Sequence, residues 1–345
     1  MSWAATLDAF IWKKEDGWLN QHIFKAISIL SQVNYTYFYW LIKVAMPHMN
    51  NDNKHGIMMQ HVTLNVFNNF FVPLPPITEQ QLISGFLGDK CSKIDRYIEK
   101  QQQIIEKLKE YKQSVITEAV TKGLSPDTPL KDRGVEWIGT IPKHWDTRRL
   151  RYLGTCANGI SKGGEFFGSG FPFVSYSDVY KNIELPKFVS GLVDTTDSER
   201  SWYSVIEGDV FFTRTSETIE EVAIASTCMQ TIENATFAGF PIRFRPNTGL
   251  LTKEFSKYYF RSNIHHMFFV KENNLVTRAS LSQKLLKKLP VLLPPIEEQK
   301  QIADFLDRKC TEIDNIINKK LVQNDKLMEY KKSLIYEAVT GKMEV

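Results

Sequence analysis

The chain has 345 residues, 43% of them apolar and 24% charged, with a formal net charge of +4. The length fits about two domains at ~150 residues each, and the composition is globular rather than disordered. The longest apolar run, residues 35–46, is too short for the ~20 residues of a membrane helix and carries Lys43. No basic leader opens the sequence, and Cys91, Cys156, Cys228 and Cys310 stand too far apart for a redox or metal-ligand motif. The expectation is a soluble, cytoplasmic protein.

Along the chain, residues 1–74 offer an aromatic run at 37–41, a polar loop and a Leu/Val/Phe-spaced segment over 62–71. An internal repeat then organises everything that follows. Residues 72–121 and 291–340 align without a gap at an offset of 219, and more than half of the fifty positions are identical. The offset far exceeds the ~20–50 residues of a solenoid repeat, so a domain-sized unit is duplicated. Each copy opens on Leu-Pro-Pro-Ile-x-Glu-Gln and closes on Tyr-Lys-x-Ser-x-Ile-x-Glu-Ala-Val-Thr. The prolines stop what precedes them. Thr78 with Gln81 has capping-box spacing, and Ile77 with Leu82 staple spacing.

Beyond the caps the spacing predicts a heptad seam through Ile83, Leu87, Ile94, Tyr97, Ile104, Leu108, Tyr111 and Val115, broken by Lys90 and Gln101. The second copy repeats it through Ile302, Leu306, Ile313, Ile316, Leu327, Tyr330 and Leu334, with a polar middle at Lys320, Gln323 and Asn324. A helix of about 40 residues reaches ~60 Å. Two such helices are expected to pair, and an antiparallel pair separates Cys91 from Cys310 too far for a disulfide.

The turn-rich stretch from Gly123 to Pro129 ends the first helix. The expected map is therefore a partial domain over 1–74, a long helix over 75–122, a linker over 123–142, a full domain over 143–290 and a second long helix over 291–345. Strands are expected at 171–176, 205–213, 222–226 and 239–245, and helices at 252–269 and 281–289. The fold class is mixed α+β, with globular domains joined by an antiparallel coiled coil. The 143–290 block holds 19 Lys and Arg against 15 Asp and Glu, so it carries the basic surplus.

No phosphate-binding Gly-Lys loop, dinucleotide fingerprint or amino-methyltransferase tetrapeptide is present. Adjacent His265 and His266 cannot face one ligand from a helix and read as surface or capping residues. Glu220-Glu221 reads as a solvated turn. No catalytic constellation and no metal set is expected. Several loops of the central block suit nucleic acid. The run 143–151 interleaves cations with Trp145. Lys162 sits in a Gly-rich loop. Arg214, Thr215 and Ser216 follow an apolar run, and Arg278 and Ser280 precede a helix. Each loop alone is as compatible with a solvated turn as with a DNA contact, and the long helices alone are compatible with a coiled-coil scaffold.

Taken together, the segment from Gly134 to Leu153 (GVEWIGTIPKHWDTRRLRYL), the Leu-Pro-Pro-Ile-x-Glu-Gln openings, the helix closings and Asn20-Gln-His-Ile-Phe24 resemble the specificity subunit of type I restriction–modification systems over essentially the whole chain. The resemblance implies two target recognition domains, each reading half of a bipartite double-stranded DNA site. It also implies methyltransferase and restriction subunits as partners and no catalysis in this chain. S-adenosylmethionine, ATP and Mg then belong to the partner subunits. DNA contacts are expected from Lys162, Arg214, Thr215, Ser216, Arg278 and Ser280. One departure is that only the C-terminal part of a first recognition domain precedes Pro75, so the sequence reads as truncated there and as a half-reader of its site.

Overall fold

A computed structural model describes residues 8–12, 15–20, 23–27, 32–49, 62–132, 139–216, 222–247, 249–265, 268–269 and 279–345. The fold is mixed α+β. The chain forms two compact units, residues 1–106 with 316–345, and residues 107–315. The division falls inside both long helices, α3 (Ile77–Lys122) and α8 (Ile296–Val339). No helix among the described residues is long and apolar enough to cross a membrane.

In the first unit, α1 (Tyr35–Met49) packs Tyr37, Trp40 and Leu41 against Ile83, Leu87 and Cys91 of α3 and Leu334, Ile335, Ala338 and Val339 of α8. The Tyr37 hydroxyl donates to the Pro73 and Val339 carbonyls, and burial pushes its pKa up to about 12. A short helix, α2 (Leu64–Asn68), is capped by the Thr63 hydroxyl, which accepts from Val66 N–H. Of the aromatics before Pro75, Trp12 and Trp18 are exposed, Phe38 is half-buried and Trp40 is buried.

The start of the first long helix departs from the capping-box expectation. Ile77 already lies in the helix, and Ile77 and Leu82 are both exposed, so no staple forms. The fastening falls to the repeated glutamine. Gln80 is buried; its side-chain oxygen accepts from Asn34 N–H at 2.8 Å, and its amide donates to the carbonyls of Gln32 and Pro75. Gln299, 219 positions on, does the same in the second unit. It accepts from Thr252 N–H at 2.9 Å and donates to Leu250 and Pro294. A primary amide offers one acceptor and two donors, which is what three orphaned backbone groups at a helix junction require.

The helices pair antiparallel within each unit. In the first, Asp95 meets Lys331 at 2.6 Å and Gln101 meets Lys320 at 2.8 Å, so numbers rise on α3 as they fall on α8. In the second, Lys112 binds Asp314 at 2.6 Å, while Ile116, Ala119 and Val120 share a core with Ile302, Leu306 and Cys310. The buried stripe runs through Ile83, Leu87, Cys91, Gln101, Ile105, Ile116 and Ala119. Tyr97, Ile104, Tyr111, Ile316 and Tyr330, expected in the seam, are exposed, and Leu108 and Leu327 are only half-buried. Gln101, read as an interruption, belongs to the stripe. All four cysteines are free thiols; Cys91 is buried in the first unit and Cys310 in the second.

The second unit holds a four-stranded antiparallel sheet in the order β4 (Gly154–Asn158), β11 (Ile242–Pro246), β7 (Val210–Phe212), β9 (Ala225–Thr227). Beside it stand β10 (Thr236–Phe237), β5 (Phe167–Val174) and β6 (Leu192–Val193). The expected linker over 123–142 contains a strand pair, β1 (Leu130–Asp132) with β2 (Thr140–Pro142). Gly123, at φ +75°, closes α3.

Helix α6 (Lys253–Arg261) buries Phe255, Tyr259 and Phe260 in the core with Val210, Phe212, Phe244 and Leu306. Its polar residues fasten it as firmly. The Lys257 ammonium binds Glu184 at 2.7 Å and Asp307 of α8 at 2.6 Å, and the Tyr258 hydroxyl donates to the same Asp307. Arg261 donates to the carbonyls of Val179 and Tyr180 in α4 (Tyr176–Lys181), of Asn182 just past it and of Ala225. His265 is not a surface residue. It is buried, with Nε2 3.0 Å from the Tyr259 carbonyl and its ring against Tyr259, and burial lowers its pKa to about 4. His266 and Glu220-Glu221 lie outside the described residues.

Candidate nucleic-acid interface

Sheet register determines which loops meet. Asn158 of β4 stands opposite Ile242 of β11, Ile242 opposite Phe212 of β7, and Phe212 opposite Ala225 of β9. One end of the sheet therefore carries the exit loops of β4 and β7 and the entry loops of β11 and β9. Beyond Phe212 the chain continues into β8 (Thr215–Ser216), which pairs antiparallel with β12 (Ala279–Ser280), Thr215 opposite Ser280 and Ser216 opposite Ala279. The Arg214 carbonyl closes the ribbon by accepting from Leu281 N–H at 2.7 Å. Ala223, in the turn that leads into β9, is held at φ +63°, a conformation that non-glycine residues adopt only when their surroundings enforce it.

Four of the six residues singled out from sequence thus come together on one ribbon: Arg214, Thr215, Ser216 and Ser280. Two loops 64 positions apart in sequence become neighbours through one pair of strands with two paired positions. Arg214 is half-buried and Ser280 exposed. Arg278 lies outside the described residues.

Lys162 leaves the same end of the sheet on the β4–β5 loop, but its ammonium is already engaged. It binds Glu199 at 2.8 Å and the Asp194 carbonyl at 2.7 Å, lies over the Phe166 ring, and leaves its side chain only 14% exposed. Glu199 also caps α5 (Asp197–Trp202) with Thr196. The Lys162 hydrogen bond holds the Glu199 carboxyl below its ordinary pKa. With Glu165, Asp194 and Asp197 nearby in the chain, Lys162 braces a loop in an acidic setting rather than offering a cation to a ligand.

A cationic strip that the sequence alone did not assemble lies along the edge strand β4. Strand β3 (Asp146–Arg149) pairs with β13 (Pro290–Leu293), and past its end Arg151 N–H donates to the Lys287 carbonyl at 3.2 Å. This pairing sets Arg149 and Arg151 beside Lys287 and Lys288, which follow α7 (Gln283–Leu286). Arg149, Arg151, Lys284 and Lys288 are exposed and Lys287 is half-exposed. The Arg151 guanidinium lies 4.8 Å from the Tyr152 ring. Burial pushes the Cys156 thiol of β4 up to about 11, opposed by the Lys287 charge. At the other end of the strip the Gln283 amide lies 3.0 Å from the Asn158 side-chain oxygen, so the strip runs into the loops at the sheet end. The signal in the sequence was the Arg148-Arg149-x-Arg151 run and Lys287-Lys288; only strand register joins them.

Among the described residues no cluster of three metal-ligating side chains occurs. The family model for the type I restriction modification DNA specificity domain matches residues 1–119 and 142–323. The type I restriction enzyme EcoBI specificity subunit of Escherichia coli is 23% identical over 97% of this chain and 71% of its own length. The MjaVIII specificity subunit of Methanocaldococcus jannaschii is 24% identical over 90% and 70%, and the EcoKI subunit of Escherichia coli K12 is 22% identical over 84% and 61%. The chain thus spans 61–71% of the length of these relatives. Among solved structures, a chain from a study of assembly and conformational transition of the type I R-M system superposes with a TM-score of 0.67 at 15% identity, covering 89% of this chain and 71% of that one. The HsdS subunit from Thermoanaerobacter tengcongensis gives 0.50 at 16% identity, covering 90% and 71%.

Proposed function

Because the chain belongs to the type I restriction–modification DNA specificity family, we propose that it is a non-catalytic DNA-recognition subunit that directs methyltransferase and restriction subunits to a DNA sequence. The observation that carries this reading is that the β8–β12 ribbon runs directly into α7 and the cationic strip, with Gln283 of α7 against Asn158 at the loop end of β4. The two parts have complementary chemistry. A guanidinium with hydroxyls on a narrow ribbon suits base edges, where Arg reads guanine and Ser or Thr serves several bases. Five cations beside one edge strand suit the phosphates, which position a duplex without reading it.

In this assignment Arg214, Thr215, Ser216 and Ser280 of the ribbon read the bases, and Arg278 is assigned with them by its residue type and its position in the sequence. Arg149, Arg151, Lys284, Lys287 and Lys288 face the backbone, and Lys162 supports the loop between them. The test is methylation of a randomised-site DNA library by the complex reconstituted with its methyltransferase partner. The wild-type complex modifies one sequence, and Arg214→Ala relaxes one position at a cost of ~1–3 kcal/mol. Methylation without sequence preference would leave the chain a scaffold.

A further inference from the structure

The two repeats meet at equivalent positions near the middle of the long helices. Gln101 and Lys320 are equivalent positions, 219 apart, and they are bonded to each other, Lys320 Nζ to Gln101 Oε1 at 2.8 Å. A residue bonded to its own repeat equivalent marks the point about which the antiparallel pair is symmetric. Next to it stand Ile105, 1% exposed, and its equivalent Asn324, 6% exposed, whose side-chain oxygen has no hydrogen-bond partner among the described residues. The flanking ion pairs repeat by the same rule. Asp95–Lys331 in the first unit and Lys112–Asp314 in the second exchange equivalent residues, because Asp95 corresponds to Asp314 and Lys112 to Lys331.

These ion pairs therefore cannot distinguish the intramolecular pair from a homotypic one. An α8 helix aligned antiparallel with α8 of a second copy would keep an Asp-to-Lys pair on both sides of the centre, and so would α3 with α3. Among these contacts, the central one differs. In α3 it is Gln101 and Ile105, which accept a copy of themselves. In α8 it is Lys320 and Asn324, which would set two ammonium groups face to face in a half-buried layer beside two buried amides. Like charges in such a layer repel strongly, and a buried polar residue in a coiled-coil seam is a known means of choosing partners.

We propose that Lys320 and Asn324 form a pairing lock: they bar the α8 helices of two copies from pairing and so hold each chain to the union of its own two different repeats. On the reading of the preceding section, the lock prevents the 143–290 domain from being presented twice on one frame, and with it a palindromic specificity. The lock itself needs no DNA to be tested.

Two measurements on the full chain decide it. In the first, Gln101→Lys sets two lysines together within one chain and lowers the thermal midpoint, and adding Lys320→Gln, which restores the pair in reversed order, returns the midpoint to the wild-type value. A double variant as unstable as Gln101→Lys would overturn the central contact. In the second, chains carrying Gln323→Cys, an exposed position beside the layer, are unfolded, refolded and treated with a short bis-maleimide. Cross-links joining position 323 of two copies are counted by mass spectrometry. With Lys320→Gln and Asn324→Ile, which give α8 the centre of α3, these cross-links rise at least tenfold over the parent. An equal yield in the two proteins, whether low or high, would overturn the lock. Neither readout depends on sequence recognition, so failure of the lock and failure of the functional reading are separable.

Discussion

Single side chains carry the junctions of this fold. Gln299→Ala strands the Thr252 N–H and the Leu250 and Pro294 carbonyls at a buried helix start. Each unsatisfied group costs ~1–3 kcal/mol, so urea denaturation should show a loss of at least that size, and Gln299→Glu should not rescue it because a carboxylate cannot donate. His265 adds a pH dependence. Its pKa is about 4 in the folded chain against about 6.5 when exposed, so it folds neutral. Between those values the unfolded chain binds the extra proton, and stability falls as pH drops from about 6.5 to about 4, by up to ~3 kcal/mol. Urea midpoints at pH 7 and pH 5 should differ in the wild type and differ less in His265→Phe.

The helices were legible in sequence, but their phase was not. A gapless repeat with matching Pro-Pro starts revealed both elements and their likeness, because identity survives where geometry is shared. The seam was misplaced because Tyr97, Ile104 and Tyr111 are apolar by type yet face solvent, whereas Gln101 is polar by type and finds Lys320. The substitutions that test the seam follow from the observed burial. Leu87→Ala and Leu306→Ala, both at fully buried sites, should cost ~2–5 kcal/mol. Leu108→Ala should cost less and Tyr111→Ala little, as measured by chemical denaturation. The interface was half legible for a related reason. Local residue types marked Arg214 to Ser216 and the stretch around Ser280, but strands of two to five residues leave no periodicity, and partners such as β3 and β13 are more than 140 positions apart. Lys162 was chosen by type; Glu199, 37 positions on, decides what it does.

For the whole molecule, the division of labour between ribbon and strip has a salt signature. Each phosphate contact contributes about 0.9 to the slope of log affinity against log salt. Replacing Arg149, Arg151 and Lys288 by alanine should therefore flatten that slope by about 2–3 for the reconstituted complex, weakening all sequences alike. Arg214→Ala should leave the slope nearly unchanged and alter preference instead. Filter binding across a salt series on matched and mismatched duplexes separates the two.

The placing of the four thiols makes the protein its own recorder of opening. Only the thiolate reacts with alkylating reagents, and burial raises the pKa of all four cysteines, Cys228 to about 12. Cys156 is half-buried on the edge strand and should be alkylated first. Cys91 is sealed in the first unit, and Cys228 and Cys310 in the second, so each becomes reactive only when its own surroundings come apart. A pulse of iodoacetamide in sub-denaturing urea, read by peptide mass, should label Cys228 and Cys310 in step and Cys91 on a separate clock, timing the breathing of each unit without any added probe.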